Sequence, residues 1–403
     1  MNTWEEKNGL GSLLPGGSGM VAPLNRLIEW RAQRIVDPLE RLKFLRHATT
    51  SSMALQATLL RPRRWQMAAG GLLFAMITIS AFTLARQPST AAASLPDRLT
   101  TQGGVRLMPK VWLVETKQDS EVYSNGLRIE NKYAIGNEPR RSYPAYARRD
   151  AKETPMEWRT QPSGIVFHTT ESLQLPFEQS STKAIQRVDV DVLGMVRQNR
   201  SYHFMIDKFG QVYRLVKESD VAYHAGFSVW GDERAVFVNL NNSFLSIAIE
   251  THTRPDQETP TATAAQIHSA RVLTQMLRSK YQIPASDCVT HAQVSVNPDN
   301  KLLGFHTDWA GNFPFTELGL GDNYLEPSAA IDTFGFTYDS TLVQATGSRY
   351  WQGLILAEEQ MRAQAMNQGL SQAEYRKILQ DKYTKILRAV RGNTVEKEKS
   401  NEN

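Results

Sequence analysis

The central part of the sequence predicts an α/β domain, on three observations. Short apolar segments at 165–167 and 245–250 have the length and composition of buried strands. A capping box formed by Thr263 and Gln266 begins a helix with a periodic apolar face. Between the two strands, apolar residues recur at helical spacing: Ile185, Val188, Val192 and Val196. Because strands and helices alternate, we expect residues 159–325 to fold as one α/β domain.

Further strands and helices are expected on both sides of these segments. Within the domain, residues 202–207 and 211–216 form a predicted hairpin. Upstream, residues 99–158 contain strand-like segments but too few apolar residues for an independent core, so we interpret them as a β-rich extension packed on the domain. Downstream, residues 326–403 are predicted to be a helical extension with a frayed tail, in which Ser371 begins a helix with a capping box.

Composition excludes several classes of protein. The chain has 403 residues, 41% apolar and 22% charged, which is typical of folded proteins. Its single cysteine, Cys288, excludes an intramolecular disulfide framework and a multi-thiolate metal cluster. Residues 1–66 contain ten Lys or Arg and five Asp or Glu, whereas residues 86–403 contain 36 of each. A nucleic-acid-binding domain would carry excess positive charge on its own surface, so no nucleic-acid partner is expected.

Residues 67–85 predict one transmembrane helix. These 19 residues contain no charge, and as a helix they would rise about 28 Å, close to the thickness of about 30 Å of a bilayer's hydrocarbon core. Three arginines precede the segment, whereas Arg86 and Arg98 follow it beside Asp97, so the positive-inside bias favours a cytoplasmic N-terminus. We therefore expect a single-pass anchor in the cytoplasmic (inner) membrane, then a linker at 86–98, then a domain in the periplasm or outside. A cleaved signal peptide is the alternative, with an unusually long leader.

Residues 1–66 are predicted to be a cytoplasmic, basic, partly helical segment. Apolar side chains recur there at helical spacing, and Asp37 with Pro38 forms a helix start. The basic helix faces within residues 20–50 could lie on the anionic lipid surface or bind a cytoplasmic protein partner. An ordinary solvated basic tail explains the same composition equally well.

Seven of the eight histidines fall within residues 168–306. Three residues hold positions that suit a metal site: His168 ends a predicted strand, His291 follows a strand-like segment after the capped helix, and Asp308 lies in the next loop. Side chains at strand ends and in the loops beyond them can point into one cleft. Two imidazoles and one carboxylate suit Zn²⁺ and leave its fourth position for water. From spacing alone, these three residues could equally be polar side chains that do not share a metal site.

The residues around these histidines resemble the zinc-dependent N-acetylmuramoyl-L-alanine amidases, a family that also includes peptidoglycan recognition proteins and phage amidases. The similar segments lie in family order over about 145 residues: 164–170, 201–207 with Gly210 and Val212, 222–226, Asn242 with 246–250, 289–291 and 306–308. The resemblance implies a mixed central β-sheet flanked by helices. It does not extend to residues 1–158 or 326–403.

The resemblance also implies a reaction. His168, His291 and Asp308 would bind Zn²⁺, and the cleaved bond would be the amide joining N-acetylmuramic acid to L-alanine in peptidoglycan or a muropeptide. Zn²⁺ polarises such a carbonyl and lowers the pKa of a bound water to about 7. Glu250 is the expected proton carrier, because strand alternation places it opposite the neighbouring isoleucines. Tyr202 is a second catalytic candidate, since relatives without this glutamate rely on a tyrosine at that position.

Four further residues are candidates from the same comparison. His306 stands where bacterial amidases often have a lysine, so a hydrogen-bonding imidazole replaces a permanent charge that can stabilise an oxyanion. His224 and Tyr223 match a segment that borders the glycan and stem peptide in relatives, and Asn242 belongs to another matching segment. We expect these last three residues to bind substrate. An exposed loop or a packing role is the alternative.

Three functions are consistent with the sequence. The first is a membrane-anchored zinc hydrolase that cleaves peptidoglycan outside the cytoplasm. The second is a module that binds peptidoglycan or a muropeptide without cutting it, and the third is a membrane-tethered scaffold. The sequence favours the hydrolase, because a complete ligand set and a candidate general base are both present.

Overall fold

The structure is a computed structural model that describes Phe44 and residues 109–148, 154–253 and 261–400, without the side chains of 393–400. The strands of the described residues are β1 Leu113–Thr116, β2 Ser120–Tyr123, β3 Arg128–Glu130, β4 Tyr143–Ala147, β5 Glu157–Arg159, β6 Gly164–Thr169, β7 Phe204–Ile206, β8 Val212–Arg214, β9 Val229–Gly231, β10 Ala235–Val238, β11 Phe244–Ile249, β12 Cys288–Thr290, β13 Val296–Asn297 and β14 Leu302–Leu303. The helices are α1 Thr182–Asn199, α2 Leu240–Ser243, α3 Ala264–Tyr281, α4 His291–Val294, α5 Ala329–Asp332, α6 Ser340–Ala345, α7 Ser348–Asn367 and α8 Gln372–Ser400.

An eight-stranded mixed sheet forms the centre of the described structure, in the order β1-β2-β3-β8-β7-β11-β6-β12. Strands β7, β11, β6 and β12 run parallel, and β8 and the β1–β3 meander complete the sheet. Both central strands, β6 and β11, are buried along their whole length, as their continuous apolar sequences predict. A Cβ atom at Gly164 would lie 2.0 Å from the Phe244 ring, so only glycine fits at the start of β6. The mixed sheet with flanking helices confirms the predicted fold class for the domain.

The two faces of the sheet differ in chemistry. Helix α3 packs Ala270, Leu273 and Leu277 on one face, in one apolar cluster with Ile247 and Ile249 of β11. Helix α1 packs against the opposite face, beside Met205 of β7. Because side chains alternate along a strand, this second face also carries His168, Ser246 and Glu250. The fold therefore places polar side chains of neighbouring strands on the face of the sheet on which α1 packs.

The upstream residues extend the sheet and form a second one. Strand β3 pairs in parallel with β8, so the β1–β3 meander continues the central sheet. Strands β4 and β5 join β9 and β10 in a four-stranded sheet of order β5-β4-β10-β9. The hairpin predicted at 202–216 is present as β7 and β8. The predicted capping box at Thr263 is present at the start of α3.

The C-terminal helices share the core of the domain. Leu354 of α7 and Tyr383 of α8 are fully buried in the same apolar cluster as the central sheet. The Tyr350 hydroxyl donates a hydrogen bond of 2.9 Å to the carbonyl of Ala292, next to a predicted metal ligand. Ser371 and Glu374 exchange the hydrogen bonds of a capping box at the start of α8, as predicted. The C-terminal extension therefore buttresses one end of the predicted site.

Among the described residues, no helix combines the length and apolar character needed to cross a membrane. The predicted span 67–85, the linker 86–98 and all of residues 1–66 except Phe44 lie outside the described part of the chain. Phe44 packs, half-buried, against the apolar cluster of the central sheet.

Candidate metal centre and its surroundings

His168, His291 and Asp308 meet at one end of the central sheet. His168 lies near the end of β6, and His291 follows β12, the strand paired in parallel with β6. Parallel strands end at the same sheet edge, so the topology brings the two imidazoles together. Asp308 comes from the loop beyond β14, and one ligand atom from each residue lies within 4.8 Å of the others. The three predicted ligands therefore form a group that could hold a metal ion.

The aspartate lies between the two imidazoles. His291 Nδ1 is 2.8 Å from Asp308 Oδ1, and His168 Nδ1 is 3.3 Å from Oδ2. Burial alone would raise the pKa of Asp308, but the charge of His291 and hydrogen bonds from both histidines outweigh it and hold the pKa well below its usual range. Burial, reinforced by the nearby His291, lowers the pKa of His168 to about 4. A neutral His168 imidazole beside an ionised carboxylate is the form that binds a divalent metal.

His224 lies behind His168 and is buried. Its Nδ1 atom is 3.2 Å from His168 Nε2, on the far side of the ring from Asp308. The turn that holds it is fixed by Asn241, whose Oδ1 accepts the backbone N–H groups of His224, Ala225 and Gly226 at 2.8 to 2.9 Å. A hydrogen bond to the second ring nitrogen fixes the orientation of a metal-ligating histidine. The structure thus gives His224 a contact with a predicted ligand, in addition to the substrate contact predicted from sequence.

Tyr202 and His306 flank the three residues on either side. The Tyr202 ring lies 4.9 Å from the His168 ring, centroid to centroid. The His306 ring stacks on His291 at 4.7 Å, and its backbone N–H donates to Ser295 Oγ. Burial raises the pKa of Tyr202 and lowers that of His306. Near neutral pH, Tyr202 therefore keeps its hydroxyl proton as a hydrogen-bond donor.

Glu250 lies on the same face of the sheet but has different neighbours. His168 pairs with Ala248 across β6 and β11, and Glu250 is two residues further along. Its carboxyl group, almost fully buried, lies beside that of Asp189 on α1 and near Lys208. Burial, followed by the contact with Asp189, raises the pKa of Glu250 to about 9.

The two other predicted substrate-binding residues lie near the surface of the same region. Tyr223 is 46% exposed, and its hydroxyl donates a hydrogen bond of 3.0 Å to Glu138. Asn242 is half-buried, and its carbonyl accepts a hydrogen bond from Arg140. An exposed tyrosine suits contact with a large substrate, whereas the carbonyl of Asn242 already has a protein partner.

Three polar residues of this region were not predicted from sequence: Arg140, Asp189 and Asn241. Arg140 reaches from the upstream extension to His203 Nε2 at 3.2 Å. His203 in turn bonds Ser246 Oγ through Nδ1 at 2.8 Å. Neither Arg140 nor Asn241 gives a signal in the sequence, because each acts on residues that only the fold brings close.

Several solved structures are similar to part of this chain. The endolysin N-acetylmuramoyl-L-alanine amidase LysCS from Clostridium intestinale is 20% identical, with 46% of this chain and 93% of that chain covered and a TM-score of 0.25. AMPDH3 from Pseudomonas aeruginosa, solved with anhydromuramic pentapeptide, is 18% identical. The match covers 52% of this chain and 95% of that chain, with a TM-score of 0.31. AmiD from E. coli, solved with anhydro-N-acetylmuramic acid-L-Ala-D-gamma-Glu-L-Lys, is 17% identical. The match covers 63% of this chain and 100% of that chain, with a TM-score of 0.31.

Comparison with curated protein sequences gives no match. A sequence profile of a known family does match, over residues 158–304, and its description is N-acetylmuramoyl-L-alanine amidase. The matched range contains His168, Tyr202, Glu250 and His291, and it ends four residues before Asp308. Residues 158–304 therefore form a domain of the N-acetylmuramoyl-L-alanine amidase family.

Proposed function

We propose that this protein is a zinc-dependent hydrolase that cleaves the amide between N-acetylmuramic acid and L-alanine in peptidoglycan or a muropeptide. The observation that carries the proposal is the convergence of His168, His291 and Asp308 within 4.8 Å of one another. Two imidazoles and a carboxylate are a donor set that suits Zn²⁺ and leaves a position open. Membership of the amidase family supports an amide as the bond attacked.

The metal supplies one part of the chemistry and the chain supplies the rest. When bound, Zn²⁺ would polarise the scissile carbonyl and make a water nucleophilic near neutral pH. His168, His291 and Asp308 would hold it. His224 would keep the His168 imidazole in the ligating orientation through its 3.2 Å contact with Nε2.

The leaving amine needs a proton, and the oxyanion that forms on the carbonyl needs hydrogen-bond donors. Residues at this end of the sheet can meet both needs. Glu250 holds its proton at neutral pH, because its pKa is raised to about 9, so it can protonate the departing nitrogen. Tyr202 lies against His168 and keeps its hydroxyl hydrogen. We assign it a hydrogen bond to the developing oxyanion. The His306 imidazole, stacked on His291, is placed to donate a second one.

Hydrolysis of purified peptidoglycan tests this proposal. The full-length chain in detergent is incubated with insoluble sacculi, with and without a chelator, and new N-terminal alanine is measured. We expect alanine release that stops on chelation and returns with Zn²⁺. The matched variants are His291→Ala, which removes a ligand, and His268→Ala, which removes an exposed histidine on α3. Retention on sacculi without alanine release indicates a binding module instead. If the protein neither binds sacculi nor releases alanine, the result supports the membrane-tethered scaffold.

For localisation, we propose that residues 67–85 anchor the chain in the inner membrane with the domain outside the cytoplasm. The uncharged apolar span supports the anchor. Protease treatment of spheroplasts decides this. Cleavage of the domain with protection of residues 1–66 supports the anchored topology, and equal protection of both contradicts it.

A further inference from the structure

Glu250 and Asp189 form a buried pair of acidic side chains on the face of the sheet beneath α1. Asp189 is 5% exposed and Glu250 is 1% exposed. One oxygen of each, Asp189 Oδ1 and Glu250 Oε2, is buried without any hydrogen-bond partner. The side chain of Asp189 nevertheless lies next to that of Glu250. Two ionised carboxylates buried side by side repel one another, and a proton on one of them removes the repulsion.

Two further charged groups lie near the pair. Asp189 itself lies on α1, whereas the neighbouring Asp207 and Lys208 lie on the turn between β7 and β8. The Asp207 carboxylate accepts the backbone N–H groups of Phe209 and Gln211 at 2.9 and 2.8 Å, so its role in the turn is accounted for. Lys208 is buried and brings one positive charge. One ammonium can balance one carboxylate of the pair, which leaves the other carboxyl group neutral.

We propose that Asp189 and Glu250 share one proton, so that Asp189 is a positioning residue that keeps Glu250 in its proton-donating form at neutral pH. The inference rests on the proposed amide hydrolysis for its use, but the shared proton is a property of the free protein. In the reaction, the proton moves from Glu250 to the leaving nitrogen as the C–N bond breaks. The attacking water gives its hydroxyl group to the carbonyl carbon and returns its proton to the pair, which restores the starting state.

A carboxyl titration tests the pair without substrate. The full-length chain carrying ¹³C-labelled Asp and Glu carboxyl groups is titrated by NMR from pH 4 to 10, and the signal missing from Glu250→Gln identifies Glu250. In the wild type we expect Glu250 to ionise near pH 9, in line with its raised pKa. In Asp189→Asn, the amide can donate a hydrogen bond to an ionised Glu250, so its pKa should fall by at least one unit. Asp191→Asn, two residues along on the exposed side of α1, should leave it unchanged.

The same variants then separate this proposal from the amidase proposal. With alanine release as the readout, the alkaline limb of the wild-type pH profile should move to lower pH in Asp189→Asn and stay in place in Asp191→Asn. An unchanged Glu250 titration in Asp189→Asn overturns the shared proton even if the protein hydrolyses peptidoglycan. A shifted titration without alanine release supports the pair and rejects the hydrolase. If Asp189→Asn does not fold, Asp189→Ser removes the same carboxyl group with a smaller polar side chain, and an unmoved Glu250 titration in that variant contradicts the pair.

Discussion

The metal centre and the carboxyl pair lie on the same face of one sheet, yet they hold their acidic residues in opposite forms. Asp308 and Glu250 are both largely removed from water. Asp308 faces two imidazoles, and the attraction keeps its pKa low. Glu250 faces a second carboxyl group, and its pKa rises to about 9. Burial raises the pKa of both groups, so the identity of the nearest side chain decides which one is ionised.

This contrast suits hydrolysis of an amide. An ionised carboxylate between two imidazoles can bind a cation, whereas a protonated carboxyl group two residues along the neighbouring strand can donate a proton. Water attack and departure of the amine need these two states at the same pH. The parallel pairing of β6 with β11 brings the two states to one end of the sheet.

The largest expected effect comes from removing a metal ligand. In His291→Ala we expect zinc affinity to fall at least about a hundredfold, since loss of an outer partner alone costs about 10 to 100-fold. Amide hydrolysis should become undetectable. Competition with a chromophoric chelator measures the affinity, and His268→Ala is the matched control. Wild-type affinity in His291→Ala would remove His291 from the ligand set.

Removing the proton donor should reduce catalysis but leave the metal in place. In Glu250→Gln we expect the turnover rate to fall by about 10² to 10⁴, the usual contribution of a general acid or base. Zinc content should equal that of the wild type, because the charged neighbours of Glu250 are Asp189, Asp207 and Lys208 and none of them is a predicted metal ligand. The exposed Glu233→Gln serves as control. Loss of zinc in Glu250→Gln would show that the two regions are not separate.

His224 should affect the metal without affecting the proton donor. We expect His224→Ala to weaken zinc binding by about 10 to 100-fold through a less fixed His168 ring. His224→Asn, which can still accept a hydrogen bond from Nε2, should restore part of the affinity. The titration of Glu250 should not move in either variant. Unchanged zinc affinity in His224→Ala would leave this residue with its predicted substrate contact only.

The smallest expected effect is on the pH dependence of stability. Glu250 has a raised pKa in the folded state, so the folded chain binds more protons than the unfolded chain between about pH 4.5 and 9. The contribution of Glu250 to the free energy of unfolding is therefore complete at low pH and is lost as the pH rises through that window. If this pKa falls by one unit in Asp189→Asn, the difference in the free energy of unfolding between variant and wild type should shift by about 1 kcal/mol toward a more stable variant on going from pH 5 to pH 9. Chemical denaturation at both pH values measures it, and parallel curves for variant and wild type would contradict the pair.

Much of the metal centre could be predicted from the sequence, because its residues lie at strand ends. Strands β6 and β11 are continuous apolar segments, and His168 lies near the end of the first. Asp308 is a candidate from its place in the loop after His291, but that loop has no regular pattern, and the family resemblance is what implies its role as a ligand. The direction of Glu250 followed from strand alternation, but its neighbours did not.

Asp189, in contrast, has a recognisable signal in the sequence. It lies four residues after Ile185 and three before Val192, both on the buried side of α1. An acidic residue on the apolar face of an amphipathic helix is unusual and indicates a specific partner. By contrast, Arg140 and His203 are 63 residues apart, and no local pattern relates them. Tertiary contacts of this kind remain outside what local sequence patterns can predict.

Metal analysis of the purified full-length chain tests the central claim most directly. Zinc is measured by elemental analysis in the wild type, His291→Ala and His268→Ala after equal exposure to Zn²⁺ and removal of the excess. We predict one tightly bound zinc per chain in the wild type and in His268→Ala, and almost none in His291→Ala. Equal zinc content in all three proteins, or alanine release by a chain that contains no metal, would contradict the account.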